Sequence, residues 1–184
     1  MNKLRLLTLF LLAAFLIQSC KKDTIVGTAY TTAPFQANVN GVTWAPDTLS
    51  SVISYNSATG IKTYTLSGTR DQKQIIMSVA ISAGNTPGFA TGTYNVDGSA
   101  VAVQFNTQQK NSSGDYVFLP HGTVEPGAGI IYITTVDSVK KQITGTFSFY
   151  SRSSTLNSDG STSITIDNIL GGEFTSLPYT YTSN

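Results

Sequence analysis

From Phe35 to the C-terminus, apolar side chains recur at every second position, and this pattern restricts the fold more than any other feature. Successive side chains of a strand point to opposite faces, so alternation is typical of half-buried β-strands. It is clear in Ile75–Ile81 and in Ile143–Phe149. No stretch after Cys20 shows a helical period. The pattern predicts one all-β domain over residues 35–184, an antiparallel β-sandwich or barrel-like fold of about nine or ten strands.

Turn-forming residues divide these strands. Asn40-Gly41 between two alternating runs predicts a hairpin with a type I′ turn. Ser158–Gly160 predicts a turn into a strand whose Ile164 and Ile166 are expected to point inward. The segment 107–126 has little pattern and is expected to contain a long loop.

The first residues of the chain predict a secretory signal. Lys3 and Arg5 supply the positive start, and Leu6–Ile17 is an apolar run interrupted only by Thr8. This run is shorter than the roughly 20 residues that span a bilayer. Ile17-Gln-Ser-Cys20 resembles the bacterial lipobox, with Gln18 as a departure from it. We therefore expect a lipoprotein signal peptide over residues 1–19.

Cys20 is expected to carry the lipid, because its sulfur can take diacylglycerol as a thioether. Further acylation, with palmitate for example, supplies the additional chains that stable anchoring needs. Residues 20–34 then form the anchor and a flexible tether. The protein is expected in the cell envelope, on the outer membrane, and the sequence does not decide between its periplasmic and its surface face. The alternative is an ordinary secretory signal that contains a cysteine. Cys20 is the sole cysteine, so disulfides, thiol catalysis and cysteine zinc sites are not expected.

Charge argues against nucleic acid as a partner. The chain has a formal net charge of +1 and only 11% charged residues. Without Lys3 and Arg5, nine basic residues face ten acidic ones. Nucleic-acid binding calls for a clustered basic surface, which this composition does not supply.

Several segments together resemble a group of small, uncharacterised lipoproteins of Bacteroidetes-type bacteria, classed as a domain of unknown function. The segments are Ser19–Asp23, Phe35–Trp44, Gly92-Thr-Tyr94, Ile143–Phe149 and Gly172-Glu-Phe174. The resemblance implies an all-β sandwich in the cell envelope. It brings no established activity and no site residues.

The chain contains few candidates for catalytic residues. His121 is the only histidine, and it lies in a turn-like context, where a structural role is the alternative to a catalytic one. Glu125 and Glu173 are the only glutamates, and glycoside hydrolysis would need two facing carboxyl groups. No Gly-Xaa-Ser-Xaa-Gly elbow is present. We expect the protein not to be an enzyme.

Calcium is the one cofactor that the sequence leaves open, since oxygen ligands from loops suffice for it. Asn95, Asp97 and Asp115 are the weak candidates. The alternative is that these residues stabilise turns. No spaced aspartate loop motif is present, so the sequence predicts no metal site.

Aromatic residues offer the remaining candidate for ligand binding. Trp44, Tyr64, Tyr132 and Tyr150 could form an exposed platform for a sugar, with polar neighbours. The alternative is that Trp44 plugs one end of the sandwich while the tyrosines cover the sheets. The segment Tyr179–Tyr181 predicts an edge strand, where a partner chain could pair.

The leading hypothesis is a lipid-anchored cell-envelope protein with a non-enzymatic binding or structural β-domain. One alternative is a carbohydrate-binding accessory lipoprotein. The other is a calcium-stabilised adhesin-like domain. The expected partners are the membrane, through the lipid on Cys20, and a glycan or an envelope protein.

Overall fold

The alternating residues form twelve strands, and no helix, across residues 33–184, which are the residues that the structure, a computed structural model, describes. The predicted signal peptide, Cys20 and the tether as far as residue 32 lie outside these residues. Across 33–184, there is no helix with the length and hydropathy needed to cross a membrane.

The strands form two six-stranded sheets that pack as a β-sandwich, which confirms the predicted fold class. Sheet A has the order β2-β1-β11-β10-β9-β6. Its strands are β1 (Phe35–Val39), β2 (Val42–Trp44), β6 (Gly92–Asn95), β9 (Gly129–Asp137), β10 (Gln142–Leu156) and β11 (Thr162–Pro178). Sheet B has the order β12-β3-β4-β5-β7-β8. Its strands are β3 (Thr48–Asn56), β4 (Ile61–Arg70), β5 (Lys73–Ser82), β7 (Val101–Lys110), β8 (Tyr116–Pro120) and β12 (Thr180–Ser183). All neighbours are antiparallel except β12, which runs parallel to β3 at the predicted edge.

One continuous core lies between the sheets. Ile53 and Ile75 point into it from sheet B, and Ile133 and Phe174 from sheet A, each with at most 1% of its surface exposed. The rings of Tyr64 in sheet B and Phe174 in sheet A lie 6.1 Å apart between centroids. Burying one isoleucine or phenylalanine side chain contributes about 1.5–3 kcal/mol to the stability of the fold. The alternation of apolar residues therefore accounts for the two-layer packing.

Local turn chemistry is confirmed at Asn40-Gly41, where φ is 53° and 86°, as a type I′ turn requires. The expectation of a long loop over 107–126 is wrong in part. β7 continues to Lys110 and pairs with β8, and the two strands are joined by the turn 111–115. The Asn111 side chain closes this turn by accepting hydrogen bonds from the backbone N–H groups of Ser113 and Asp115. A local amide cap therefore makes a hairpin where the apolar pattern is weak.

The inward orientation expected for Ile164 and Ile166 is also wrong, because the two side chains are 52% and 51% exposed. They belong to the far end of the β10–β11 hairpin, Arg152–Leu156 paired with Thr162–Ile166, which we call the arm. Most arm residues are exposed on both faces of the hairpin, so neither of the two sheets formed by residues 33–184 covers it there. Apolar side chains at these positions therefore have no core to enter.

A β-bulge in β11 shapes sheet A. Between Ile169 and Gly172, β11 contains one more residue than β10, and the same extra residue appears against β1. Gly171 lies in the left-handed region, with φ 54°, as bulges of this kind favour. The bulge places Leu170 on the outer face and Gly172 on the inner one.

Candidate functional site

Two tyrosines lie on the outer face of sheet A. Tyr132 on β9 alternates with the buried Ile131 and Ile133, and Tyr150 on β10 follows the buried Phe149. Because neighbouring residues of a strand point to opposite faces, both tyrosines are directed to solvent, and each is 46% exposed. Sheet A thus presents two aromatic side chains on one surface.

Polar side chains continue this surface across the sheet. Strand register places one row of outward residues directly side by side: Thr93, Tyr132, Thr146, Glu173 and Gln36. The Gln36 amide donates a hydrogen bond to the Glu173 carboxylate, which holds that carboxylate at the β1–β11 boundary. The row therefore combines a ring face with hydroxyl, amide and carboxylate groups.

Two adjoining hollows lie on this outer face of sheet A, with volumes of about 350 and 360 Å³, and Tyr132 lines neither of them. They share Ile130 and Ser148. Tyr150 and Leu170 line the first hollow, and Glu173 lines the second. We call the two together the sheet A groove. Its exposed apolar lining, Ile130 at 39% and Leu170 at 52%, is not covered by any residue in 33–184.

Glycines form the groove where larger residues would fill it or disturb the core below. Gly171 and Gly172 line the second hollow and Gly129 the first. A Cβ on Gly172 would lie 2.4 Å from the Phe147 ring, and one on Gly129 would lie 2.6 Å from the Phe149 Cβ. Close packing of phenylalanine rings beneath the sheet therefore requires glycine on the paired strands.

The groove is suited to a neutral ligand. Glu173 is the only charged residue among those that line it. Asn95, Thr146 and Ser148 offer hydroxyl and amide groups that both donate and accept hydrogen bonds. A ligand with an apolar face and several hydroxyl groups matches this combination.

Trp44 and Tyr64 are placed elsewhere, so the predicted four-residue platform is wrong for these two residues. Trp44 is 5% exposed, packs edge-on against Phe35 with centroids 6.1 Å apart, and donates its Nε1–H to the Arg70 carbonyl at 3.2 Å. Tyr64 is 1% exposed, and burial raises the pKa of its hydroxyl. The structure brings together only Tyr132 and Tyr150.

The three calcium candidates do not meet in one site. Asn95 ends β6, and Asp97 lies in the turn before β7. Asp115 lies beyond the other end of β7, about 30 Å away along a ten-residue strand. The Asp97 Oδ1 already accepts hydrogen bonds from the backbone N–H groups of Ser99 at 2.8 Å and Val101 at 2.9 Å. Within 33–184, no group of three or more histidine, cysteine or acidic side chains has a metal-binding arrangement.

His121 forms a contact that sequence reasoning missed. Its Nδ1 lies 2.6 Å from Oδ2 of Asp167, which is 5% exposed. Asn40 donates to the other carboxylate oxygen at 2.8 Å. The nearby Ser151 hydroxyl donates to the His121 main-chain carbonyl at 2.7 Å and not to its ring. The hydrogen bonds described for residues 33–184 include none from a serine or threonine hydroxyl to the imidazole.

Lys62 is a second titratable group that the sequence did not indicate. It lies on the inner face of β4 and is 2% exposed. Its Nζ donates to Thr86 Oγ1 and to the Gly88 carbonyl, both at 2.9 Å. Burial lowers the pKa of this amine, and both of these acceptors are uncharged. The geometry fastens the loop between β5 and β6 to the sandwich.

Comparison with known proteins identifies a family and nothing finer. No curated protein and no solved structure matches the chain. A family model described as Domain of unknown function (DUF6252) matches residues 31–178, which include eleven of the twelve strands in full. The chain therefore belongs to the DUF6252 family.

Proposed function

We propose that this protein is a lipid-anchored cell-envelope protein whose β-sandwich is a non-enzymatic binding module, with the sheet A groove as its binding surface. The observation that carries the proposal is the exposed apolar lining of two adjoining hollows by Ile130, Tyr150 and Leu170, with the exposed Tyr132 on the same face of the sheet. Exposed apolar groups rimmed by polar residues commonly mark interaction sites.

The chemistry of the groove supports binding rather than turnover. Glu173 is the single carboxylate in its lining, whereas glycoside hydrolysis uses two. The His121–Asp167 pair lies outside the residues that line the groove. A purified protein that hydrolysed members of an ester, peptide and glycoside panel would contradict this part of the proposal.

The N-terminal sequence supports the lipid anchor. The apolar run, the lipobox-like Ile17–Cys20 and the sole cysteine are what a Bacteroidetes-type outer-membrane lipoprotein would contain. The described chain begins beside sheet A, where the Pro34 carbonyl accepts a hydrogen bond from the Thr175 N–H. A tether ending at residue 34 would therefore join the sandwich at the start of β1.

Metabolic labelling with palmitate tests the anchor. The wild-type chain should incorporate label and partition into the membrane fraction, and Cys20→Ser should do neither. A matched control, Ser19→Ala, keeps a small residue before the cysteine and should remain labelled. Membrane partition of Cys20→Ser at the wild-type level would contradict the lipid anchor.

A glycan is the ligand class that the groove favours. Tyr132 lies opposite Thr146 on β10, and Tyr150 lies four residues further along β10, so the backbone positions of the two tyrosines are separated by about 13 Å along the strand direction. This spacing leaves room for an oligosaccharide between two stacking faces. The hydroxyl and amide groups of Thr146, Ser148 and Asn95 lie along the same surface.

Glycan arrays and affinity electrophoresis with neutral polysaccharides test this ligand class. Tyr132→Ala and Tyr150→Ala should each weaken binding by about tenfold or more, as loss of a stacking contact predicts. Tyr116→Ala is the matched control, because Tyr116 is 63% exposed but lies on β8 in sheet B. An array without hits, or equal loss in all three variants, would contradict glycan binding at the groove. Trp44 is buried and is not expected to report binding by fluorescence.

A further inference from the structure

The arm has a strand edge whose backbone groups are unpaired among residues 33–184. β11 pairs with β1 only from Ile169 to Phe174. Asn168 then completes this side of the strand, since its N–H donates to the Asn40 side chain and its carbonyl accepts from the Asn40 N–H. From Asp167 back to Thr162, β10 is the only described neighbour of β11.

The direction of the unpaired groups follows from strand geometry. The N–H and C=O of one residue point to the same side of a strand, and the side alternates with each residue. The backbone N–H and C=O of Asn168 point away from β10, so the backbone groups of Ile166, Ile164 and Thr162 do the same. These three residues therefore offer a row of free donors and acceptors to an incoming strand, and all three are β-branched, which suits cross-strand packing.

We propose that this edge pairs with the same edge of a second copy of the chain, as an antiparallel two-fold contact centred on Ile164. In this register Ile164 lies opposite its own counterpart, and Ile166 lies opposite Thr162 of the other copy. All three outward-pointing residues of each strand then exchange hydrogen bonds. A two-fold contact of this kind is self-complementary, as closed dimers require.

Two features favour a second copy over another partner. The edge from Thr162 to Ile166 contains no charged residue, so identical edges approach without repulsion. The register also packs the exposed Ile164 and Ile166 of one copy against β-branched residues of the other, which an arbitrary strand would not ensure. Such exposed apolar edges are the sites at which sheets of separate molecules join.

The contact is small, so association is expected to be weak in solution and stronger where copies share a membrane surface. A pairing of two short strands is smaller than the interfaces of about 1,200–2,000 Å² that stable complexes form. A dissociation constant between about 1 μM and 1 mM is the range to examine. Sedimentation velocity of the full chain in detergent, over a concentration series, measures it.

Ile164→Pro tests the edge directly. The Ile164 N–H faces away from β10, so proline there removes a donor of the free edge without removing a hydrogen bond of the hairpin. The variant should weaken association by about tenfold or more, since it deletes two symmetry-related bonds and the central side-chain contact. The matched control is Ser154→Pro, whose N–H points to the opposite edge of the arm by the same alternation, following Arg152. It should associate like the wild type.

Crosslinking tests the register. In a Cys20→Ser background, Ile164→Cys should give a crosslinked dimer with a short thiol-specific reagent, because its Cα would lie about 5.5 Å from its counterpart. Ser154→Cys should give no crosslinked dimer. A chain that stays monomeric up to about 1 mM would overturn the proposal. So would a dimer that Ile164→Pro leaves intact, or one that Ser154→Pro abolishes. These outcomes are independent of whether the sheet A groove binds a glycan.

Discussion

The Nδ1 of His121 lies 2.6 Å from the Asp167 carboxylate, and this contact joins the segment after β8 to the base of the arm. Asp167 belongs to β11 of sheet A, and His121 directly follows β8 of sheet B. Asn40 from the β1–β2 turn donates to the same carboxylate at 2.8 Å. The Asp167 side chain is 7% exposed, so its carboxyl oxygens depend on these two contacts for hydrogen-bond partners.

Asp167→Ala should therefore lower the free energy of unfolding by about 1–3 kcal/mol, because it leaves the Asn40 amide without its acceptor and the imidazole without its partner. Urea unfolding followed by fluorescence of the buried Trp44 measures the change. Asp115→Ala is the control, since Asp115 is exposed and lies in another loop, and it should change stability by less than about 0.5 kcal/mol. Equal unfolding midpoints for Asp167→Ala and the wild type would contradict a structural role for the pair.

The alternation of apolar residues predicted which side chains of most strands point into the core, because successive side chains of a strand point to opposite faces. Tyr132 and Tyr150 follow this rule, and their exposure could be predicted from the buried isoleucine and phenylalanine beside them. Tyr64 follows it too, but one of its neighbours in phase is Lys62, a residue that is seldom buried. The buried lysine gives the strand a misleading polar signal.

What the sequence could not show depends on contacts between distant segments. Ile164 and Ile166 have the pattern of inward residues, yet the arm extends past any opposing sheet, and no local signal records that. The bulge at Gly171, which shapes the groove, appears only when β11 is aligned with both neighbours. The His121–Asp167 contact joins residues 46 positions apart, and no sequence pattern indicates that these two residues meet.

Replacing Lys62 should change how stability depends on pH. Burial lowers the pKa of the folded amine below its ordinary value of 10.5. Between the two values the unfolded chain binds more protons than the folded one, so the free energy of unfolding increases with pH in that window. Lys62→Met has no titratable amine and therefore lacks this increase in the free energy of unfolding. The stability of the wild type relative to the variant should therefore rise as pH increases from neutral toward about 10.

Urea unfolding of both proteins at several pH values between neutral and about 10 measures this difference. The tyrosines are the same in both proteins, so their contribution to the pH dependence cancels in the comparison. Lys62→Met also removes the donors to Thr86 and Gly88, so amide hydrogen exchange in the loop should accelerate. A difference in stability that stays constant across the range would contradict a lowered pKa at Lys62.

Gly172→Ala should destabilise the fold, because the new Cβ would lie 2.4 Å from the Phe147 ring inside the core. The ring must move, and overpacking of this kind costs about 1–3 kcal/mol. Gly84→Ala is the matched control, since nothing lies within 4 Å of its Cβ position, and its effect should stay below about 0.5 kcal/mol. Thermal and urea unfolding compare the two. Equal stability of the two variants would show that the ring is free to shift.

Calcium should leave the melting temperature of the protein unchanged, because the Asp97 carboxylate is already used within its turn. Hydrogen bonds from the backbone N–H groups of Val101 and Ser99 hold the pKa of Asp97 below its ordinary value of 3.8. The ionised carboxylate thus stabilises the fold above the ordinary pKa, and this stabilisation is lost as pH falls through the lowered pKa of the folded state.

Asp97→Asn keeps an acceptor but no charge, so the stability of the wild type relative to the variant should decline in acid. Thermal unfolding with and without calcium, at neutral and acid pH, measures both effects. A rise in melting temperature with calcium that Asp97→Asn abolishes would show that Asp97 binds the ion.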